Sequence, residues 1–300
     1  MKSSAQAFVP TSGAEKSLVA VLADLIKARL TALVLLTTFV GFYLGEVGSV
    51  NYLLMFHALF GTALVASGAA ALNQWLERDY DAKMRRTASR PLPSGRMQPA
   101  TVAIFGGVCS LLCLVYLAVL VNPLTSVVGA VTSVSYLFIY PPLKRVSWMN
   151  TLVGAVPGAL PPLMGWTAAR GELSGEGWAL FAILAFWQIP HFMAIAWLYK
   201  EEYAKAGFVM LPNVDADGSR TAQQSVGNTI ALLFASLCPF AFGLNGKIYL
   251  AVALILGAGY FWFAVRFARQ LTARRARQLF LASIIYLPLL IAALVGNKLK

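Results

Sequence analysis

Nine stretches of predominantly apolar residues follow one another along this 300-residue chain, most of them within the roughly 17 to 25 residues that carry one α-helix across a bilayer. They lie near 26–45, 53–75, 101–121, 123–140, 150–168, 178–198, 227–244, 248–266 and 279–296. Inside hydrocarbon the backbone polar groups have no water to bond, so each stretch must bond internally as a helix. The fold class expected is therefore an all-α polytopic membrane protein, a bundle of about nine transmembrane helices. With 59% hydrophobic and only 12% charged residues, the chain has too little polar surface for a water-soluble globule of this length. The expected division is a polar N-terminal tail over 1–17 and one transmembrane domain over 18–300.

Charge placement tests that parsing. Of the 24 lysines and arginines, only Arg170, Lys247, Lys298 and Lys300 fall on one side of the expected membrane. This bias puts the N-terminus and the long loops in the cytoplasm and the C-terminus outside. The net charge of +12 follows from that bias and from attraction to anionic lipid, so the bilayer is an expected partner and nucleic acid is not. The segment through Ser17 is polar and poor in arginine, unlike a cleaved signal or a mitochondrial leader, and a bacterial cytoplasmic (inner) membrane is the simplest address. Cys109, Cys113 and Cys238 lie inside spans without a C-x-x-C pattern and read as buried packing thiols.

The second span runs into Asn73-Gln-Trp-Leu-Glu77-Arg-Asp79-Tyr-Asp81-Ala-Lys83-Met-Arg85-Arg86, with Arg90-Pro-Leu-Pro-Ser-Gly close behind. Asn73, Glu77 and Asp81 recur every fourth residue and share one helix face. Their hard oxygens suit Mg²⁺, which is typically shared between one or two carboxylates and substrate phosphates, while Lys83, Arg85, Arg86 and Arg90 suit a polyanion. A solvated helix end laced with salt bridges is the plainer alternative. The sixth span also runs into acids, Lys200-Glu201-Glu202-Tyr203, and the two short basic links, Tyr140-Pro-Pro-Leu-Lys144-Arg145 and Arg274-Arg275-Ala-Arg277, converge on the same face. A transport pathway would place ionisable groups near the bilayer midplane, whereas here they cluster at one end.

His57 and His191 are the only histidines. His191 follows Pro190, which frees a backbone carbonyl; His57 has no ligand set around it. In the fifth span Pro157, Pro161 and Pro162 alternate with Gly154, Gly158 and Gly165, which suits either a cavity wall or close helix packing. Trp and Phe on the sixth and eighth spans could face a cation or form an interfacial belt.

These motifs resemble the UbiA superfamily of intramembrane prenyltransferases. Trp187-Gln-Ile-Pro-His191-Phe, Glu202-Tyr203-Ala-Lys-Ala-Gly207 with Met210-Leu-Pro212, and Arg277-Gln-Leu-Phe-Leu-Ala-Ser283-Ile-Ile-Tyr286-Leu-Pro are similar to its haem-farnesylating branch. The resemblance covers nearly the whole chain from Lys27. It implies nine helices around a central cavity and transfer of farnesyl from farnesyl diphosphate to a vinyl group of protohaem IX, giving haem O and diphosphate. It makes Asn73, Glu77, Asp81 and Glu202 the catalytic Mg²⁺ ligands, and assigns Lys27, Lys83, Arg85, Arg86, Arg90, Lys144 and Lys200 to the diphosphate. His191 becomes a haem contact or iron ligand. Haem-modifying or oxidase-assembly proteins are the partners it suggests. Glu77 departs from the aspartate common in the superfamily, and Lys200-Glu201-Glu202 replaces the several aspartates of quinone-forming relatives. Alternatives are another aromatic or alcohol acceptor, or a non-catalytic haem-handling or transport role.

Overall fold

The computed structural model describes residues 17–299; the tail expected over 1–17 lies, except for Ser17, outside the described residues, as do Lys2, Lys16 and Lys300. Thirteen α-helices follow in order: α1 Leu18–Leu25, α2 Ala28–Gly45, α3 Tyr52–Asp81, α4 Pro99–Leu120, α5 Pro123–Val134, α6 Tyr140–Val146, α7 Asn150–Arg170, α8 Gly175–Leu198, α9 Lys200–Lys205, α10 Leu211–Val214, α11 Ser219–Ala241, α12 Lys247–Arg269 and α13 Ala273–Gly296. A π-helical turn, Ser135–Ile139, joins α5 to α6.

Among the described residues eight helices are long and apolar enough to cross a membrane, with α5, the π turn and α6 counted as one. The ninth expected span is α7. It is long, but prolines and glycines dilute its hydropathy, and most of its side chains are buried. Because α7 packs on α2, α3, α5 and α8, it meets protein rather than lipid and does not need an apolar surface all round.

The approach of α2 to α7 is backbone-close. A Cβ on Gly165 would fall 1.9 Å from the Thr38 carbonyl oxygen, and one on Gly41 would fall 1.9 Å from that of Pro162. Gly158 faces Gln188 and Gly154 faces the Tyr140 ring, so the small residues of the fifth span serve close packing. Between α2, α7, α8 and α13 lies a narrow apolar crevice lined by Thr37, Val40, Pro162, Leu184, Leu287 and Leu290. Trp178 and Trp262 are 45% and 53% exposed and face outward from the bundle, whereas Trp187 is half-buried. Cys109 and Cys113 are buried as expected, but Cys238 is only half-buried, because it sits on the outer side of α11 with its thiol directed to the Phe234 carbonyl at 3.5 Å.

The two membrane faces are separated by geometry. Lys298 Nζ donates to the carbonyl oxygens of Tyr43 and Glu46, each at 2.7 Å, so the end of α13 sits beside the end of α2 and opposite Lys27 at the start of α2. Burial pushes the Lys298 ammonium below its ordinary pKa, against the attraction of Glu46. An odd number of crossings satisfies this arrangement.

Candidate active site

The site is built on the last turns of α3. Its 30 residues make a rod of about 45 Å at 1.5 Å per residue, longer than the roughly 30 Å hydrocarbon core, so the charged end stands at one membrane face. There Asn73, Glu77 and Asp81 are 2%, 4% and 1% exposed. Ionised side chains are rarely buried so deeply without partners. Glu77 receives Lys144 Nζ at 2.8 Å on Oε1 and 3.0 Å on Oε2, and Asp81 receives Arg90 Nη1 at 2.5 Å on Oδ2. The Asn73 amide Nδ2 is buried without a hydrogen-bond partner.

The chain folds back after Asp81 because Thr87 Oγ1 donates to the Asp81 carbonyl at 2.8 Å and because Met84 and Leu92 are buried. Arg90 thereby returns to α3. Lys144 comes from α6, where the sequence suggested a loop. Pro141 and Pro142 sit in the first turn of that helix, where backbone N–H groups lack intrahelical partners and proline is tolerated. The preceding π turn re-aims the chain, as such turns often do near functional sites.

Lys27 arrives by a different device. It joins α1 to α2 with φ 51°, the only non-glycine residue of positive φ among those described. Gln74 Nε2 donates to Leu25 O at 2.6 Å and Asp24 O at 3.3 Å, and Thr31 Oγ1 donates to Ile26 O at 2.7 Å. These bonds hold the bend, and Lys27 Nζ donates to the Tyr136 hydroxyl at 3.3 Å.

The second acidic segment docks on the first. Val209 N donates to Lys144 O at 2.7 Å, Asn150 Nδ2 donates to Val209 O at 2.7 Å, and Phe208 packs with Met84, Met210, Tyr80 and Tyr203. Arg86 Nη2 donates to the Tyr203 hydroxyl at 3.4 Å. Glu202 is half-buried on α9, next to this contact. Of the expected basic residues, Lys144 and Arg90 bond the acids, Lys27 bonds Tyr136, and Arg86 bridges the two segments. Lys83 and Arg85 are exposed, Lys83 over the Tyr80 ring, and Lys200 lies over the Trp197 ring.

Sequence reasoning missed the aromatic lining. Lys144 Nζ stands 4.4 Å from the Tyr140 ring centre, and the Arg145 guanidinium 3.8 Å from that of Tyr80. A signal was available only for the first pair, since Tyr140 lies four residues before Lys144, whereas Tyr80 and Arg145 meet only through tertiary packing. Gln74 was legible as a polar residue in an otherwise apolar run.

No group of three or more His, Cys, Asp and Glu side chains gathers at metal-binding distance among the described residues. Glu77 and Asp81 are bonded by Lys144 and Arg90, and Glu202, expected as a further ligand, does not complete a group with them because it lies on α9 of the docked segment. The donor set still fits Mg²⁺, which takes oxygen ligands and usually only one or two carboxylates, with phosphate oxygens and water supplying the rest. Two carboxylates and the amide oxygen of Asn73 on one helix face would supply such ligands, while the unpartnered Asn73 Nδ2 is a donor and suits a phosphate oxygen.

His191 lies between the Trp187 and Phe280 rings, at centroid distances of 5.1 and 5.0 Å, with Nδ1 2.7 Å from Ser283 Oγ. His57 lies near the opposite end of α3 and bonds the Tyr116 hydroxyl at 2.7 Å, so it takes no part in the site.

The profile of the UbiA prenyltransferase family matches residues 34–287. The chain is 47% identical over 284 residues to a protoheme IX farnesyltransferase of Solibacter usitatus (strain Ellin6076), covering 92% of this chain and 97% of the relative. It is 45% identical over 289 residues to the protein of the same name from Koribacter versatilis (strain Ellin345), covering 92% of each. Solved structures share the fold. A digeranylgeranylglyceryl phosphate synthase superposes with a TM-score of 0.81 at 15% identity, over 93% of this chain and 98% of that one. A UbiA homologue from Archaeoglobus fulgidus, bound to GPP and Mg²⁺, does so with a TM-score of 0.66 at 16% identity, over 92% and 99%. A polytopic helical bundle whose buried acids and bases meet at one membrane face, matched by the family profile over most of its length, belongs to the UbiA prenyltransferase family.

Proposed function

We propose that the chain transfers farnesyl from farnesyl diphosphate to a vinyl group of protohaem IX, giving haem O and diphosphate. The observation that carries this reading is the meeting of Glu77 and Asp81 with Lys144 and Arg90 beside Asn73 at the buried end of α3, in a chain about 45% identical to relatives named for that activity. Asn73, Glu77 and Asp81, with Glu202 from the docked segment, would hold Mg²⁺, and the metal would stabilise charge building on the leaving diphosphate. Lys27, Lys144 and Arg90 neutralise diphosphate oxygens directly, aided by Arg86 and by Lys83, Arg85 and Lys200 from the rim. As the C–O bond breaks, its electron pair leaves with diphosphate. The vinyl π pair forms the new C–C bond, and water adds to the resulting cation and loses a proton, giving the hydroxyethyl group. Tyr140 and Phe208 stand beside Lys144 and Tyr136 beside Lys27, and such partial shielding from water would strengthen the hold of these ammonium groups on the anion.

The site face is cytoplasmic in this reading, in a bacterial inner membrane, with the C-terminus outside; the basic residues gathered on that face support it. Haem-modifying or oxidase-assembly proteins would receive the product. Membranes containing the protein, given protohaem IX, farnesyl diphosphate and Mg²⁺, should yield hydroxyethylfarnesyl haem by mass spectrometry, and Asp81→Asn should lower the yield steeply. Product from a hydroxybenzoate but none from haem would overturn the acceptor.

A further inference from the structure

We propose that Ser283 is a positioning residue that holds His191 in the Nδ1-protonated tautomer, so that Nε2 presents a bare lone pair to the iron of the acceptor. This rests on the protohaem reading above and adds a residue and a protonation state to it.

Ser283 Oγ lies 2.5 Å from the Phe280 carbonyl oxygen. A carbonyl only accepts, so the single hydroxyl proton is committed there. The contact of 2.7 Å between Ser283 Oγ and His191 Nδ1 then requires the proton to sit on nitrogen. A neutral imidazole carries one N–H, which leaves Nε2 unprotonated. No carboxylate is bonded to this ring among the described residues, and its neighbours are Trp187, Phe192, Phe280 and the fully buried Ser283, surroundings that disfavour imidazolium.

The ring's orientation is held from both sides. Trp187 and Phe280 stack on it at interplanar angles of 23° and 28°. Trp187 is itself anchored, since Nε1 donates to the Ser283 carbonyl at 2.9 Å and the Tyr260 hydroxyl donates to the Trp187 carbonyl at 3.3 Å. Ser283 therefore fixes the imidazole with its hydroxyl and the ring above it with its carbonyl. Nε2 has no hydrogen-bond partner among the described residues, and His191 is half-buried, so no protein group takes up that lone pair. Histidines that ligate metals almost always donate their other N–H to a protein oxygen, which sets tautomer and ring angle. Here the hydroxyl relays that role to a backbone carbonyl of α13.

The test compares His191→Ala, Ser283→Ala, Ser283→Cys and Ser283→Thr in the purified full-length protein in nanodiscs. It reads ferrous haem affinity by absorbance and the iron–histidine stretch by resonance Raman. Ser283→Ala should weaken haem binding about 10- to 100-fold and move the iron–histidine band, whereas Ser283→Thr, which keeps a hydroxyl, should retain both. Ser283→Cys preserves size with a poor acceptor, should move the band likewise, and decides the matter if the alanine variant does not fold. Wild-type affinity and band in the alanine or cysteine variant, with both lost in His191→Ala, would overturn the positioning role. An unchanged band in His191→Ala would instead overturn the haem contact itself.

Discussion

Lys144 Nζ bonds both carboxylate oxygens of Glu77, at 2.8 and 3.0 Å, and the two side chains are 14% and 5% exposed. The pair joins α3 to α6 across the site and neutralises an acid that no other described cation bonds. Removing one partner of a buried pair leaves an uncompensated charge, at a cost of about 3 to 5 kcal/mol, whereas removing both costs far less. Lys144→Met should therefore lower the unfolding midpoint in mild detergent more than Glu77→Gln/Lys144→Met does, with turnover lost in both. A double variant no more stable than Lys144→Met would refute this coupling.

Asp81 and Arg90 divide their roles differently. Arg90 is 22% exposed at its side chain against 2% for Asp81, so it can turn toward an incoming diphosphate while Asp81 stays fixed on α3. Asp81→Asn is expected to keep the fold and lower prenyl transfer by about 100- to 1,000-fold, the range for losing one electrostatic group of a reacting centre. Chelating divalent cations should abolish wild-type turnover, and added Mg²⁺ should restore it. Retention of turnover after chelation would exclude the metal role of α3.

Lys27 sits in a left-handed conformation, φ 51°, that costs a residue with a Cβ about 1 kcal/mol and glycine almost nothing. Lys27→Gly should hold or raise thermal stability while raising KM for farnesyl diphosphate. Tyr136→Phe, which deletes the acceptor 3.3 Å from Nζ, should raise the same KM about 3- to 10-fold, the scale of one hydrogen bond. An unchanged KM in both variants would remove Lys27 from the diphosphate site.

The α2–α7 crossing tolerates no side chain at Gly165, whereas a Cβ on Gly107 of α4 would meet nothing within 4 Å. Gly165→Ala should force the helices apart and reduce the yield of folded protein; Gly107→Ala should be neutral or gain about 0.5 to 1 kcal/mol from helix propensity. Expression with size-exclusion profiles distinguishes the two.

The long spans were legible because hydrocarbon admits only internally bonded backbone, which makes span length and order a property of the residues alone. The acidic face of α3 was legible for a similar reason, since a four-residue repeat on a helix is a statement about geometry. α6 was less so, because Tyr-Pro-Pro reads as a break until the prolines are seen to occupy a first turn. Cys238 was misjudged because membership of a span does not say which side of the helix meets protein.

Sequence by itself determined the membrane class, the number of long apolar runs, the face on which charge gathers and the acids that α3 presents there, since each follows from local composition and helical period. Tertiary structure alone decided that Lys144 takes Glu77, that Arg90 returns to Asp81, that Gln74 holds the bend at Lys27, and that Ser283 meets His191. Those partners are 67, 9, 49 and 92 residues apart, and pairing at such separations depends on how helices pack and where loops fold back, which no local pattern encodes.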